Sequence, residues 1–199
     1  MLKINEFEIN RQVFHIFLGV LLVVLLLYNI VNEKIILVII LIGLLLSYVI
    51  KKTDIKVPVI HFLLKKFERK QDFENFPGKG IAFYLIGAYI SLILYPKEIA
   101  MASIMVLAFG DSISHICGLH FGKIKHPLSR TKFLEGTLAG FVAGFTGALF
   151  FLRPIEALFA SMAAMIMESI EIKIGAQQVD DNLVVPLVAG AVVWIIRLF

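Results

Sequence analysis

Seven apolar runs separated by short polar breaks organise the chain, at approximately 12–30, 35–50, 80–95, 98–120, 135–152, 154–173 and 183–199. Each approaches the roughly 20 residues that a membrane-spanning helix needs, so the pattern predicts an all-α, polytopic membrane helix bundle with about seven spans. The breaks at Asn32-Glu33-Lys34, Pro96-Lys97 and Arg153-Pro154 are so short that the helices flanking them must be antiparallel hairpins. One connection is different. Residues 51–79 are long and polar, yet Ile60, Leu63, Leu64 and Phe67 fall on one helical face opposite Lys65, Lys66 and Arg69, with Pro58 suited to a first turn. This predicts an amphipathic helix at the interface, held to anionic lipid or serving as a lid over a lipid substrate.

Composition agrees with the pattern. The 199 residues are 59% hydrophobic and 17% charged, with a mean hydropathy of +0.90, whereas soluble domains carry about 25% charged residues. A single membrane domain, 1–199, is expected, with no separate soluble part and no nucleic-acid partner. The first run follows Arg11 without a small-residue cleavage site, so it reads as a retained helix rather than a signal peptide. Cys117 is the one cysteine, which excludes an internal disulfide. Charge sets the orientation. Of the 19 Lys and Arg residues, Lys34, Lys97, Arg153 and Arg197 fall on one side and the other 15 on the side of the N-terminus, which the positive-inside rule makes cytoplasmic.

The expensive groups fall on that same side. Asp111 lies about ten residues before the expected end of the fourth run near Phe121, hence roughly 10–15 Å below the interface at 1.5 Å per residue. A mid-membrane Asp costs about 2.5–3.5 kcal/mol, so it must face the bundle or a wet cavity. Ser114, His115, Gly118 and Gly122 continue its stripe. Lys123, Lys125, Arg130 and Lys132 follow, and Glu135 and Gly136 open the fifth run. These cations serve either as orientation determinants or as phosphate ligands. Gly136, Gly140 and Gly144 repeat every four residues, which reads as helix packing. Glu8, Arg11 and His15 share one face of the first helix, either as an interfacial collar or as part of a site. Glu168 and Glu171 sit three apart near the end of the sixth run; they pair with Arg11, His15 or Lys173, or they hold a divalent cation. Asp181 or Asn182 is placed to cap the last helix. The glycines of Pro77-Gly78-Lys79-Gly80 permit close approach to a phosphate, or form an ordinary turn.

At these residues the sequence resembles the CTP-dependent lipid kinases, which include dolichol and other polyprenol kinases, phytol kinase and the fungal type of diacylglycerol kinase, and which are related to CDP-lipid synthases. The resemblance rests on Glu8-x-x-Arg11-x-x-x-His15, on Gly110-Asp111-Ser112 with Gly118 and Gly122-Lys123, on Lys132-x-x-Glu135-Gly136-Thr137, and on Glu168 or Glu171 with Asp181-Asn182-Leu183 and Pro186 to Gly190. His115, at a position usually small in the family, and Phe133, where a threonine is common, depart from it. The resemblance implies an integral membrane enzyme, its site facing the cytoplasm, that moves the γ-phosphate of CTP to the hydroxyl of a membrane lipid alcohol, a polyprenol or dolichol first.

The expected roles then follow from the chemistry of phosphoryl transfer. Lys123, Arg130 and Lys132, with Arg11, Lys79, Gly122 and Gly136, hold the phosphates. Asp111 with Glu135 or Asp181 binds a divalent metal, magnesium first. Asp111, Glu135, Glu171 or His115 takes the hydroxyl proton, and Glu8, His15, Glu168 and Asn182 complete the site. Two other readings remain: a CDP-lipid synthase attacking the α-phosphate, and an ion-coupled transporter using Asp111, Glu168 and Glu171 as a relay. The acceptor and the oligomeric state are left open.

Overall fold

The computed structural model describes residues 6–53, 58–174 and 177–199; Lys3, Asp54 and Lys56, and the side chains of Ile60, Leu63 and Lys173, lie outside the described residues. Helices α1 (Glu6–Leu27) and α2 (Glu33–Thr53) come first, followed by the short α3 (Pro58–Phe67) and α4 (Lys70–Asn75). Then come α5 (Lys79–Leu94), α6 (Lys97–Met105), a π-helical stretch (Val106–Asp111), α7 (Ser112–Phe121), α8 (Leu134–Ala148), α9 (Pro154–Glu168) and α10 (Asp181–Ile196). A two-residue antiparallel pairing, Lys173–Ile174 with Gln177–Gln178, lies between the last two helices. The fold is otherwise helical. Three stretches, Glu6–Leu27, Glu33–Thr53 and the continuous Lys97–Phe121, are long and apolar enough to cross a membrane, and Lys79–Leu94 and Asp181–Ile196 are shorter apolar helices.

The segment Lys97–Phe121 is the axis of the bundle. Every residue from Ile99 to Met105 is buried, whereas α2 leaves Val38, Leu41, Ile42 and Leu45 more than half exposed. An apolar face of that size suits lipid as its solvent. Around the axis, α8 approaches closely because Gly136, Gly140 and Gly144 are all buried against it or its neighbours. A Cβ on Gly140 would stand 2.6 Å from the Gly110 carbonyl oxygen and 2.8 Å from Met165 Sδ. Gly140→Ala is therefore expected to lower stability by about 1–3 kcal/mol through overpacking, despite alanine's better helix propensity. Gly43→Ala on α2, where nothing lies within 4 Å, is expected to be neutral or stabilising. Thermal unfolding in detergent of the two variants checks the contrast.

Two residues of the apolar face of helix α3, Leu64 and Phe67, pack inward. Leu64 is buried and the Phe67 ring stacks on Phe14 of α1 at 4.4 Å, while Lys65 and Lys66 face outward and are exposed. The helix is thus docked on the bundle with these lysines outward, Lys66 lying 5.4 Å from the centre of the Phe67 ring. Gly78 holds a positive φ of 83° that turns the chain into α5, and its N–H donates to Glu68 Oε2 at 2.9 Å. At the end of the bundle remote from these groups, Arg197 gathers the carboxylates of Glu98 and buried Glu156.

Candidate active site

Lys132 is positioned by its own loop before any helix contributes. Leu134 N–H donates to the Ile124 carbonyl at 2.9 Å and His126 N–H to that of Lys132 at 3.1 Å, so the two arms of the loop pair. Ser129 Oγ accepts from the backbone N–H groups of Thr131 and Lys132 and closes the turn. The Lys132 ammonium then reaches across the bundle. It lies 2.9 Å from Glu168 Oε1 and 2.9 Å from Asp181 Oδ2, and it donates to the Glu168 carbonyl at the end of α9. A cation belongs there, because the last carbonyls of a helix lack partners and carry partial negative charge. Burial alone would lower the pKa of Lys132, but the carboxylates of Glu168, Asp181 and Asp111 outweigh it and hold the ammonium above its ordinary value. Asp180 caps α10 by accepting from Asn182 N–H at 3.1 Å; burial pushes its carboxyl up.

Asp111 closes the group from the axial helix. It ends the π-helical stretch, a wider turn of the kind often found at functional sites. One carboxylate oxygen from each of Asp111, Glu168 and Asp181 lies within 4.8 Å of the others. Ser114 Oγ donates to Glu168 Oε1 at 3.2 Å, yet Glu168 Oε2 is buried without a hydrogen-bond partner among the described residues. Three oxygen donors and an unsatisfied buried carboxylate oxygen fit a hard divalent cation. The group lines a cavity of about 500 Å³ whose wall also carries Arg11, Arg69, Lys79, His115, Asp72 and Asp180. Four permanent cations beside five carboxylates suit a polyphosphate bound together with a metal.

Of the residues expected from the sequence, Arg11, Lys79, Asp111, His115, Lys132, Glu168, Asp181 and Asn182 line this cavity. Others are placed elsewhere. Glu135 accepts from the backbone N–H groups of Lys123 at 3.1 Å and Ile124 at 3.2 Å, so it orders the loop while Glu168 takes the position beside Asp111 and Asp181. Lys123 and Arg130 are exposed and, like Gly122 and Gly136, are not part of the cavity wall. Lys125 rests over the Phe133 ring at 4.0 Å. The sixth run, expected to stay helical to 173, ends at Glu168, with Ser169 at the C-cap position. Glu171 consequently leaves the face it would share with Glu168, and its Oε1 lies 3.5 Å from Ser129 Oγ.

Glu8 is the centre of a second knot. It binds Arg11 at 2.9 Å, Arg69 at 3.3 Å and His115 Nε2 at 3.1 Å, tying α1 to the α3–α4 junction and to α7. His15 lies deeper, with Nε2 3.8 Å from Asp111 Oδ2. Arg69, Asp72, Gln12 and Thr131 also line the cavity and were not singled out for it by the sequence. Arg69 stands in a run of lysines with nothing local to distinguish it, and its partner Glu8 is 61 residues away.

Fold and site together define an all-helical protein, with helices fit to cross a membrane, that gathers carboxylates and cations into one end of its bundle. Comparison with known proteins places it further. The chain is 32% identical over 190 residues to an uncharacterised protein of Methanocaldococcus jannaschii, covering 94% of this chain and 92% of that one. It is 37% identical over 65 residues to the CTP-dependent diacylglycerol kinase 1 of Schizosaccharomyces pombe, 33% of this chain and 30% of the kinase. It is 30% identical over 126 residues to the chloroplastic phytol kinase 1 of Arabidopsis thaliana, 55% of this chain and 40% of that one. The chain belongs to one family with the archaeal protein, and CTP-dependent diacylglycerol kinases and phytol kinases are its distant homologues. The match spans less than half the length of either kinase. No family model matches the chain, and no solved structure matches it.

Proposed function

We propose that the protein is a CTP-dependent lipid kinase, moving the γ-phosphate of CTP to the hydroxyl of a membrane lipid alcohol at the 500 Å³ cavity. The observation that carries this reading is the Asp111, Glu168 and Asp181 trio, with Lys132 bonded to two of its members, in a chain distantly homologous to CTP-dependent kinases. Arg11, Arg69, Lys79 and Lys132 would hold the phosphates. The trio would hold a divalent cation, magnesium first, whose chemistry is to neutralise charge that develops on the phosphate oxygens. In the transfer the bond between the γ-phosphorus and its bridging oxygen breaks, CDP leaves, and the lipid oxygen takes the phosphoryl group. The hydroxyl proton departs toward the carboxylates. In this reading the bundle crosses the membrane seven times and the cavity faces the cytoplasm, the side to which the positive-inside rule assigns most of the Lys and Arg residues.

A polyprenol- or dolichol-type alcohol, the acceptor first expected from the sequence, stands in this proposal beside the diacylglycerol and phytol named in the relatives' activities. The test uses the protein in lipid nanodiscs with γ-labelled CTP, a magnesium salt and a panel of these alcohols. Label is expected in lipid phosphate. Label found in pyrophosphate and never in lipid would replace the kinase with a CDP-lipid synthase. Substrate flux in proteoliposomes lacking any nucleotide would favour the transporter reading instead.

A further inference from the structure

Beside the polar cavity lies a second, smaller space of about 100 Å³ between α1, α3 and α5. One side of it is apolar, with Phe14 and Leu18 from α1, Leu64 and Phe67 from α3, and Ile81 and the Tyr84 ring from α5; the other is polar, with His15, Glu68, Asp72 and Asp111 among its residues. The two spaces meet, because Asp111, Gly80 and Asn182 line both. Three residues of its lining each carry a buried polar atom with no hydrogen-bond partner among the described residues: Tyr84 Oη, His15 Nε2 and Glu68 Oε1. Tyr84 is 1% exposed. The two rings meet edge to face, with centroids 4.7 Å apart. A buried hydroxyl and a buried ring nitrogen left unpaired side by side are unfavourable unless a ligand completes them.

We propose that this chamber is the acceptor subsite: it receives the hydroxyl-bearing end of a lipid alcohol from the bilayer and presents that hydroxyl at Asp111, hydrogen-bonded to Tyr84 Oη and His15 Nε2. The inference rests on the kinase reading for its purpose, and on the chamber alone for its ligand. A hydroxyl both donates and accepts, which a phenol and an imidazole nitrogen together require. A carboxylate would not serve. Asp111 already places negative charge 3.8 Å from His15 Nε2, and Glu68 and Asp72 add two further carboxyl groups to the chamber's lining. The ligand is therefore a neutral alcohol rather than a fatty acid. The chamber's volume admits only its head end, so the tail must leave along the apolar faces of α1 and α3. The stacked Phe14 and Phe67 rings form the wall that distinguishes this space from the nucleotide's cavity.

The test separates the chamber from the chemistry. The intact protein in nanodiscs is photolabelled with a long-chain primary alcohol carrying a diazirine near its hydroxyl, without nucleotide. Adducts are expected on the Phe14–Leu18, Leu64–Phe67 and Ile81–Tyr84 segments, reduced at least tenfold by Leu18→Trp, which fills the space, and competed by the unlabelled alcohol but not by the matching fatty acid. Labelled-CTP binding to that variant should stay within twofold of the parent. Tyr84→Phe keeps the ring and removes only the hydroxyl. It should raise the KM for the alcohol about tenfold and leave that for CTP unchanged. Adducts confined to lipid-facing α2, adducts insensitive to Leu18→Trp, or equal competition by the fatty acid would overturn the assignment. If the alcohol labels the chamber but no phosphate ever reaches it, the kinase reading fails and the alcohol site stands.

Discussion

Asp111→Asn is expected to reduce phosphate transfer by about a thousandfold while leaving the fold intact. The side chains are nearly the same size, so the substitution removes a charge and little else. What it removes is one of three carboxylate oxygens gathered within 4.8 Å, and the one that lines both the polar cavity and the apolar chamber. Loss of several kcal/mol of electrostatic stabilisation at a phosphoryl group corresponds to about three orders of magnitude in rate. The magnesium concentration for half-maximal rate should rise as well. Stability should not fall, because Asp111 shares its site with two other carboxylates, and relieving that repulsion offsets the loss of the His15 contact. Rates with γ-labelled CTP across a magnesium titration, beside a thermal unfolding curve, measure both. Activity within tenfold of the parent would remove Asp111 from the mechanism. Glu135→Gln is the internal comparison: its carboxylate accepts from two backbone N–H groups of the loop, so its loss should act through loop order with a much smaller change in magnesium dependence.

That contrast marks what local pattern can and cannot carry. The apolar runs located the long helices, since a helix in lipid must satisfy its own backbone and bury or coat itself with apolar side chains. The stripe from Asp111 through Ser114 and His115 to Gly118 lines the cavity as a helical period requires, and the glycine repeat of α8 lies against its neighbours. Partner choice was not legible. Glu135 is closer in sequence to Lys132 than Glu168 is, yet Glu168 binds Lys132 across 36 residues, and Glu8 meets His115 across 107. Such pairs are set by which helix ends meet, which no spacing reports. The end of α9 was missed for a similar reason: beyond it Ser169 meets Thr137 of α8, hydroxyl to hydroxyl at 3.1 Å, a partner 32 residues away. The π-helical stretch that carries Asp111 has no local sequence signature at all.

Lys132→Met should cost both activity and stability, and the two losses should separate. Glu168 has a side chain only 2% exposed and Asp181 one 29% exposed, so removing their shared cation leaves one carboxylate buried and the other partly solvated. Breaking a buried pair in this way costs about 3–5 kcal/mol; the exposure of Asp181 argues for the lower figure, about 3 kcal/mol. For a chain of this size that is roughly 6–12 °C in melting temperature. Adding Glu168→Gln to Lys132→Met should restore part of the lost stability, because an amide is far cheaper to bury than an unpaired charge. It should restore no activity, because the proposed phosphate ligand and a carboxylate of the trio are then both missing. A double variant as unstable as the single one would show that Lys132 stabilises the bundle through its loop and the Glu168 carbonyl, not through the carboxylates. Full activity in Lys132→Met would remove it from the phosphate site and leave Arg11, Arg69 and Lys79 to neutralise the nucleotide.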